Sequence, residues 1–275
     1  MIKRLYISDL DGTLLNNKAE VSDFTVETVN SLIEKGMYFT FATARSVYSA
    51  KPITSALNIN IPYILMNGVS IYNPLDDKYI KNEYINPETS AEIISVFREN
   101  NLNCFMYKIH DNVLTAYFTE MDSYAMNSFA EVRKNNYKKP FVQCEKLADH
   151  ADGETVYFTV TGDYERLLPV RNGIAEIKGV NHAFYSDTYT DKYYLEIFSE
   201  NASKANGIKY LREKYSFDEI VCFGDNLNDI TMFEESNVKI AVGNAVDELK
   251  KLADFVSLTN ENDGVAKWIA ENYGE

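Results

Sequence analysis

The feature that most constrains this chain is an alternation. Over roughly the first 70 residues, and again over roughly the last 75, short apolar runs of strand length trade places with stretches whose apolar residues recur at helical spacing. Residues 5–8 read as a strand. Val26, Val29, Leu32 and Ile33 then share one helical face, which Gly36 closes. Residues 37–42 are a second strand, a helix begins near Ser46 with Pro52 in its first turn or at a kink, and residues 61–66 are a third apolar run. Near the C-terminus the pattern resumes: helix over 203–215, strand over 219–223, helix over 229–236, strand over 238–242, helices over 245–253 and 264–273. Strands separated by helices cannot form hairpins. They predict a parallel, doubly wound, Rossmann-like α/β sheet.

The middle of the chain breaks the alternation. It is rich in Tyr and β-branched residues, with turn signals at His110-Asp111-Asn112 and Thr161-Gly162-Asp163. Helices over 87–100 and 166–177 interrupt strand-like runs such as 156–161. The expectation is an α+β cap domain of residues 85–190, inserted into a discontinuous core of residues 1–84 and 191–275. The joints fall near Asn86-Pro87 and at 187–191.

Composition narrows the partners. A formal net charge of −14 argues against nucleic acid or an anionic membrane, whose phosphates need clustered Lys and Arg. It leaves room for a small phosphorylated metabolite held by one Lys and a cation. Three Cys, at 104, 144 and 222, make no CxxC pair and fit a reducing cytoplasm. The first acid, Asp9, arrives before any apolar run long enough for a signal peptide, and no run approaches a membrane span. No obligate protein partner is evident.

Open parallel sheets bind ligands at the carboxyl ends of their strands. Four polar clusters stand there: Asp9-Leu10-Asp11-Gly12-Thr13, Thr43-Ala44-Arg45, Asn67-Gly68, and Gly224-Asp225-Asn226-Leu227-Asn228-Asp229. Lys204 opens the helix after the insertion. Converging carboxylates repel one another and need a cation, and an oxygen-only set without His favours Mg²⁺. A metal ion, a lysine, a threonine hydroxyl and turn N–H groups together make a phosphate clamp. One acid can then attack phosphorus while a second, two residues on, shuttles protons.

At this point a resemblance becomes specific. D-L-D-G-T-L after a strand, F-A-T-A-R, Ser203-Lys204 and G-D-N-L-N-D resemble, in order, the four motifs of the haloacid dehalogenase superfamily. An insertion between the second and third is similar to the Cof-like branch of sugar-phosphate phosphatases. The resemblance covers the two core segments, and the insertion carries no signature of its own. It implies Asp9 as nucleophile and Mg²⁺ ligand. Asp11 would be the general acid/base, giving its backbone carbonyl to the metal. It implies phosphate contacts from Leu10, Thr43, Ala44, Lys204 and Asn228, a direct Mg²⁺ bond from Asp225, and a supporting place for Asp229. The chain departs from the family pattern at Ala44 and Ala205, where the family usually has Gly. A methyl group there matters only if the backbone angle is left-handed.

Other residues read more blandly. Arg45 reads as a grip on substrate or phosphate, with pairing to a nearby carboxylate as the alternative. Asn67-Gly68 is a turn or part of the site. Cys222 reads as core packing. His110, His150 and His182 have no ligand spacing. Tyr107, Tyr117, Tyr157, Tyr185, Tyr189 and Tyr193 fit sheet packing, with stacking on sugar faces as the alternative. Glu196 sits in a strand similar to one that recurs in the family, with its role open. The expected activity is a Mg²⁺-dependent phosphatase of small phosphorylated metabolites. The alternatives are a phosphomutase of the same superfamily, or a sugar-phosphate sensor, which should have lost one of Asp9, Asp11, Lys204 or Asp225.

Overall fold

The computed structural model describes residues 2–186 and 191–274. The chain divides into two compact units, residues 1–81 with 203–275, and residues 82–202.

The first unit begins with β1 (Arg4–Ser8), α1 (Asp23–Glu34), β2 (Tyr38–Phe41), α2 (Val47–Ile53), β3 (Tyr63–Leu65), β4 (Ser70–Asn73) and β5 (Lys78–Asn82). The second unit holds α3 (Pro87–Glu99), β6 (Phe105–His110), β7 (Val113–Phe118), α4 (Tyr124–Tyr137), β8 (Phe141–Gln143), β9 (Thr155–Gly162), α5 (Tyr164–Ile174), β10 (Val180–Ser186) and β11 (Tyr193–Ser199). The first unit then resumes with α6 (Lys204–Tyr215), β12 (Glu219–Gly224), α7 (Ile230–Glu234), β13 (Val238–Ala241), α8 (Asp247–Lys250), β14 (Phe255–Val256) and α9 (Gly264–Asn272).

The main sheet of the first unit has the order β14-β13-β12-β1-β2, and every pairing in it is parallel. From β1 the chain steps one way to β2, and it later returns on the other side of β1 as β12. Right-handed crossovers therefore place α1 and α7 on opposite faces of the sheet. With both faces covered, the centres of the strands are largely apolar: Leu5, Ile7, Phe39, Phe41, Ile220, Cys222 and Phe223 are all fully buried. Cys222 is core packing, as its surroundings in the sequence suggest. The reversal of strand order flanks the carboxyl end of β1, where Asp9 begins the loop.

The third apolar run supplies β3, which touches the main sheet only through a parallel bridge between Ala42 and Ile64. It then pairs antiparallel with β4 in a separate three-stranded sheet, β3-β4-β5. Ser46 caps α2, and Pro52 lies in its last turn instead of its first, so the expected placing is corrected. Its ring has no N–H to give to the carbonyl four residues earlier, and the helix ends one residue later at Ile53.

The second unit is built on a six-stranded sheet, β10-β11-β9-β6-β7-β8. One face packs Met106, Phe158, Val160, Leu195 and Ile197 against Ile93 and Phe97 of α3 and Leu167, Val170 and Ile174 of α5. α4 lies against the opposite face, where Phe129 stacks on Phe105 at 5.2 Å. Only Met126, Phe129 and Ala130 of α4 are buried, too few to announce a helix by periodicity, and it is absent from the sequence expectations.

The expected domain limits need correction. Residues 191–202 belong to the second unit because β11 pairs antiparallel with both β9 and β10. The alternation of Tyr194-Leu195-Glu196-Ile197 suits a strand in either sheet, and only the pairing decides between them. The N-terminal joint falls after Lys81. The C-terminal joint, expected at 187–191, and Tyr189 lie largely or wholly outside the described residues. Among the described residues, no helix is long and apolar enough to cross a membrane.

Candidate active site

The site is assembled from loops that leave the carboxyl ends of β1, β2, β3 and β12, together with the first residue of α6. Asp9 follows β1 directly, and its N–H still donates to the Phe223 carbonyl at 2.9 Å, so the sheet positions it. The chain then turns tightly through residues 10–14, with Leu10 buried, Asp11 extended and Gly12 left-handed at φ +77°. The turn needs glycine for a second reason. A β-carbon on Gly12 would stand 2.4 Å from the Asp225 carboxylate. The Thr13 hydroxyl donates to the same carboxylate at 2.9 Å, so the tips of β1 and β12 are joined by side-chain contact.

Lys204 is the first residue of α6, behind its N-cap Ser203, and is 1% exposed. Its ammonium donates to Asp9 at 2.5 Å and to Asp229 at 2.7 Å. The second oxygen of Asp229 accepts the N–H groups of Asp225 and Asn226, at 2.9 and 3.1 Å. Both oxygens of Asp229 are thus committed to holding the turn and the lysine. Asp9, Asp225 and Asp229 can offer oxygens that all lie within 4.8 Å of one another.

The charges do not balance. One buried ammonium serves three acids. Burial pushes the Asp9 carboxyl well above its usual range; Lys204 opposes this, and Asp229 and Asp225 add to it. Asp225 is pushed up to about 6, first by burial and then by Asp229. The two acids hold Lys204 firmly protonated despite its burial. Closely spaced buried acids of this kind mark sites that await a cation.

The remaining expected residues divide. Thr43 is buried, and its hydroxyl accepts the Arg45 N–H at 3.1 Å. Ala44 is exposed beside it, and neither Ala44 nor Ala205 has a left-handed backbone, so both methyl groups are accommodated without strain. Asn228 is exposed on the turn after β12. Arg45 pairs with a carboxylate of the site, the second of its two readings. Its guanidinium forks onto both oxygens of Asp11, at 2.7 and 2.6 Å. The expected part of Asp11 as a metal ligand concerned its backbone carbonyl. Its carboxylate stays outside the acid cluster, in Arg45's hold.

Asn67 and Gly68 both lie in the turn that follows β3. Gly68, at φ +96°, lets the loop after β3 pass the backbone of Ser203, where a β-carbon would meet the carbonyl oxygen at 2.0 Å. Its work is to seat the helix that carries Lys204. The Asn67 amide oxygen is buried without a hydrogen-bond partner among the described residues. Sequence reasoning missed Asn244, whose amide donates to the Gly12 carbonyl at 2.7 Å and accepts the Asn260 N–H. It follows β13, so the rule that pointed to the other strand ends would have found it.

A parallel sheet that brings buried acids and an ammonium to the ends of its central strands defines a class: an α/β protein with a site for a cation and an anionic group. Comparison with known proteins makes the family plain. The haloacid dehalogenase-like hydrolase family matches residues 6–269, and the chain belongs to it. Among relatives, the Bacillus subtilis 5-amino-6-(5-phospho-D-ribitylamino)uracil phosphatase YitU is 24% identical over 96% of both chains. A second Bacillus subtilis phosphatase of the same description, YwtE, is 25% identical over 95% of both. A crystal structure from Thermotoga maritima superposes with a TM-score of 0.82 at 30% identity, covering 100% of this chain and 98% of that one. The protein is a phosphatase of this family.

Proposed function

We propose that the protein is a Mg²⁺-dependent phosphatase of small phosphorylated metabolites, sugar phosphates first among them, acting through phospho-Asp9. The observation that carries this reading is the arrangement of Asp9, Lys204, Asp229 and Asp225: a nucleophile held by the one ammonium in an excess of acids. The donor set suits Mg²⁺. It is all oxygen, its charge is unbalanced, and Asp9 and Asp225 keep oxygens that Lys204 and Thr13 do not use. Asp9, Asp225 and the Asp11 carbonyl would hold the ion, which supplies charge neutralisation for the phosphoryl oxygens. Asp229 would orient Lys204 and the Asp225 turn.

The chain's own groups then do the following. Leu10 and Ala44 N–H groups, the Thr43 hydroxyl, Lys204 and Asn228 bind the phosphoryl oxygens. An Asp9 oxygen forms a bond to phosphorus as the ester oxygen leaves, and Asp11 gives that oxygen its proton. Water then attacks phosphorus, the bond to Asp9 breaks, and Asp11 takes the proton of the water. Asp11 must leave the Arg45 fork to do this. The phosphoribitylaminouracil named for two relatives supports including phosphorylated sugar alcohols among the substrates tried.

The test is phosphate release from a panel of sugar phosphates, sugar-alcohol phosphates, nucleotides and phenyl phosphate, with Mg²⁺ and with chelator. Release that needs Mg²⁺ and disappears in a folded Asp9→Asn variant is expected. An active, folded Asp9→Asn variant would sink the covalent mechanism. Phosphate reappearing on another hydroxyl of the same sugar would make the protein a mutase.

A further inference from the structure

Two long strands of the inserted unit run away from its joints. β9 begins at Thr155, whose carbonyl accepts the Ile85 N–H at 2.8 Å just after the first joint, and β11 ends at Ser199 just before the unit's last residue, Ala202. At their other ends Gly162 pairs with Tyr193. β9 is eight residues long, so roughly 20 Å of extended chain separates this end from the joints. Here the structure holds a cavity of about 420 Å³ whose lining belongs wholly to the inserted unit. It lies between the starts of two helices: α4, behind its N-cap Ser123, and α5, behind its N-cap Asp163. Leu102, Met126, Val160 and Leu167 give it apolar walls.

The polar lining has groups left unspent. Thr161 lines the cavity and is only 6% exposed, and its hydroxyl has no hydrogen-bond partner among the described residues. A buried hydroxyl without a partner is costly, and a partner that enters the cavity removes the cost. The N–H groups of Tyr124 and Ala125 open α4, and a helix offers its own first turn no acceptor; the Ser123 hydroxyl serves Met126 instead, at 3.2 Å. Arg166 gives one N–H to the Asn101 carbonyl at 3.1 Å, and a guanidinium has five to give.

Against these donors stand two acids in the same lining. Lys192 holds Asp163 at 2.8 Å, and the Asn103 amide donates to Asp122 at 3.0 Å. Each carboxylate keeps lone pairs beyond those contacts. Inorganic phosphate would be repelled by both acids, and an uncharged polyol would leave the helix start and Arg166 without an anion. A zwitterion answers both signs. Its carboxylate suits the α4 N–H groups, Arg166 and the Thr161 hydroxyl, its ammonium suits Asp122, and an aliphatic or aromatic side chain suits the apolar walls. We propose that this end of the inserted unit is a binding site for α-amino acids with apolar side chains.

Saturation-transfer NMR titrations of the intact protein test it without turnover. L-Leucine is expected to bind with a dissociation constant of roughly a millimolar or tighter. 4-Methylpentanoate and 3-methylbutylamine, each lacking one of its charges, should bind at least tenfold more weakly, the worth of a charge-assisted hydrogen bond. Arg166→Met and Asp122→Asn, both at exposed positions, should each weaken leucine by roughly tenfold or more. Lys178→Met, at an exposed position of the same unit outside the cavity, should leave it unchanged. No binding of leucine, methionine or phenylalanine overturns the proposal. So does leucine binding that is unchanged in Arg166→Met or in Asp122→Asn. Binding of 4-methylpentanoate or inorganic phosphate as tight as that of leucine would make the site one for simple anions, and overturns it too.

Discussion

Lys139 and Lys204 show what burial does to the same side chain in two settings. Lys204 has two acids in contact and stays charged. Lys139 has none, and burial, helped by Arg133 and opposed by Glu196, brings it down to about 7. The sign of its effect on stability follows. Below about pH 7 the amine is charged in both the folded and unfolded states, and the folded state bears the full cost of burying it. Between about 7 and the ordinary lysine value near 10.5, the unfolded chain holds more protons than the folded one. In that window stability therefore rises with pH. Lys139→Met should accordingly stabilise the protein near neutral pH, because it removes the cost of burying the ammonium. The gain should shrink as the pH approaches 10. Denaturant titrations at several pH values check this; a loss of stability on substitution would mean that Lys139 is a structural residue. The sequence marks Lys204 through its place in a motif. It gives no sign of Lys139, because burial without a partner depends on how α4 ends against the sheet.

At the scale of elements, the loops after strands are held by close backbone approach. The loop after β3 passes Ser203 at a distance that only glycine allows, and Ser203 in turn caps α6, accepting the Asn206 N–H at 3.0 Å. Gly68→Ala should therefore cost ~1–3 kcal/mol in strain from the left-handed angle and the displaced helix start. It should also lower kcat more than the loss of stability explains, because Lys204 moves with the helix. Ser203→Ala should cost about 1 kcal/mol, as for other N-caps, with a smaller effect on turnover. Unfolding and initial-rate measurements on the two variants separate the effects. The elements themselves were largely legible. Strands β1, β2, β12 and β13 and helices α1, α3 and α6 fall close to the limits that periodicity and caps suggest. α4 was not legible, because three buried apolar residues in a polar helix leave little pattern.

For the whole molecule, the charge excess of the site predicts a response to metal. Millimolar Mg²⁺ should raise Tm, since an ion that binds only the folded state stabilises it by mass action. The increase should largely vanish in Asp225→Asn and persist in Asp11→Asn, whose contact with the ion would be through its backbone. Thermal unfolding with and without chelator measures both. Asp11→Asn should still lower turnover by ~10²–10⁴-fold, the usual worth of a proton shuttle.

The sequence alone determined the parallel α/β core, the presence of an insertion, and a set of acids and a lysine at strand ends. These are local matters: apolar period, turn residues and motif order are written along the chain. Tertiary structure decided which sheet β11 joins, that Arg45 holds Asp11, that Gly68 exists for Ser203, and that Lys139 is buried against the Tyr107 ring. Each depends on residues distant in sequence meeting in space. Pairing, ion-pair choice and desolvation are properties of the neighbour as much as of the residue.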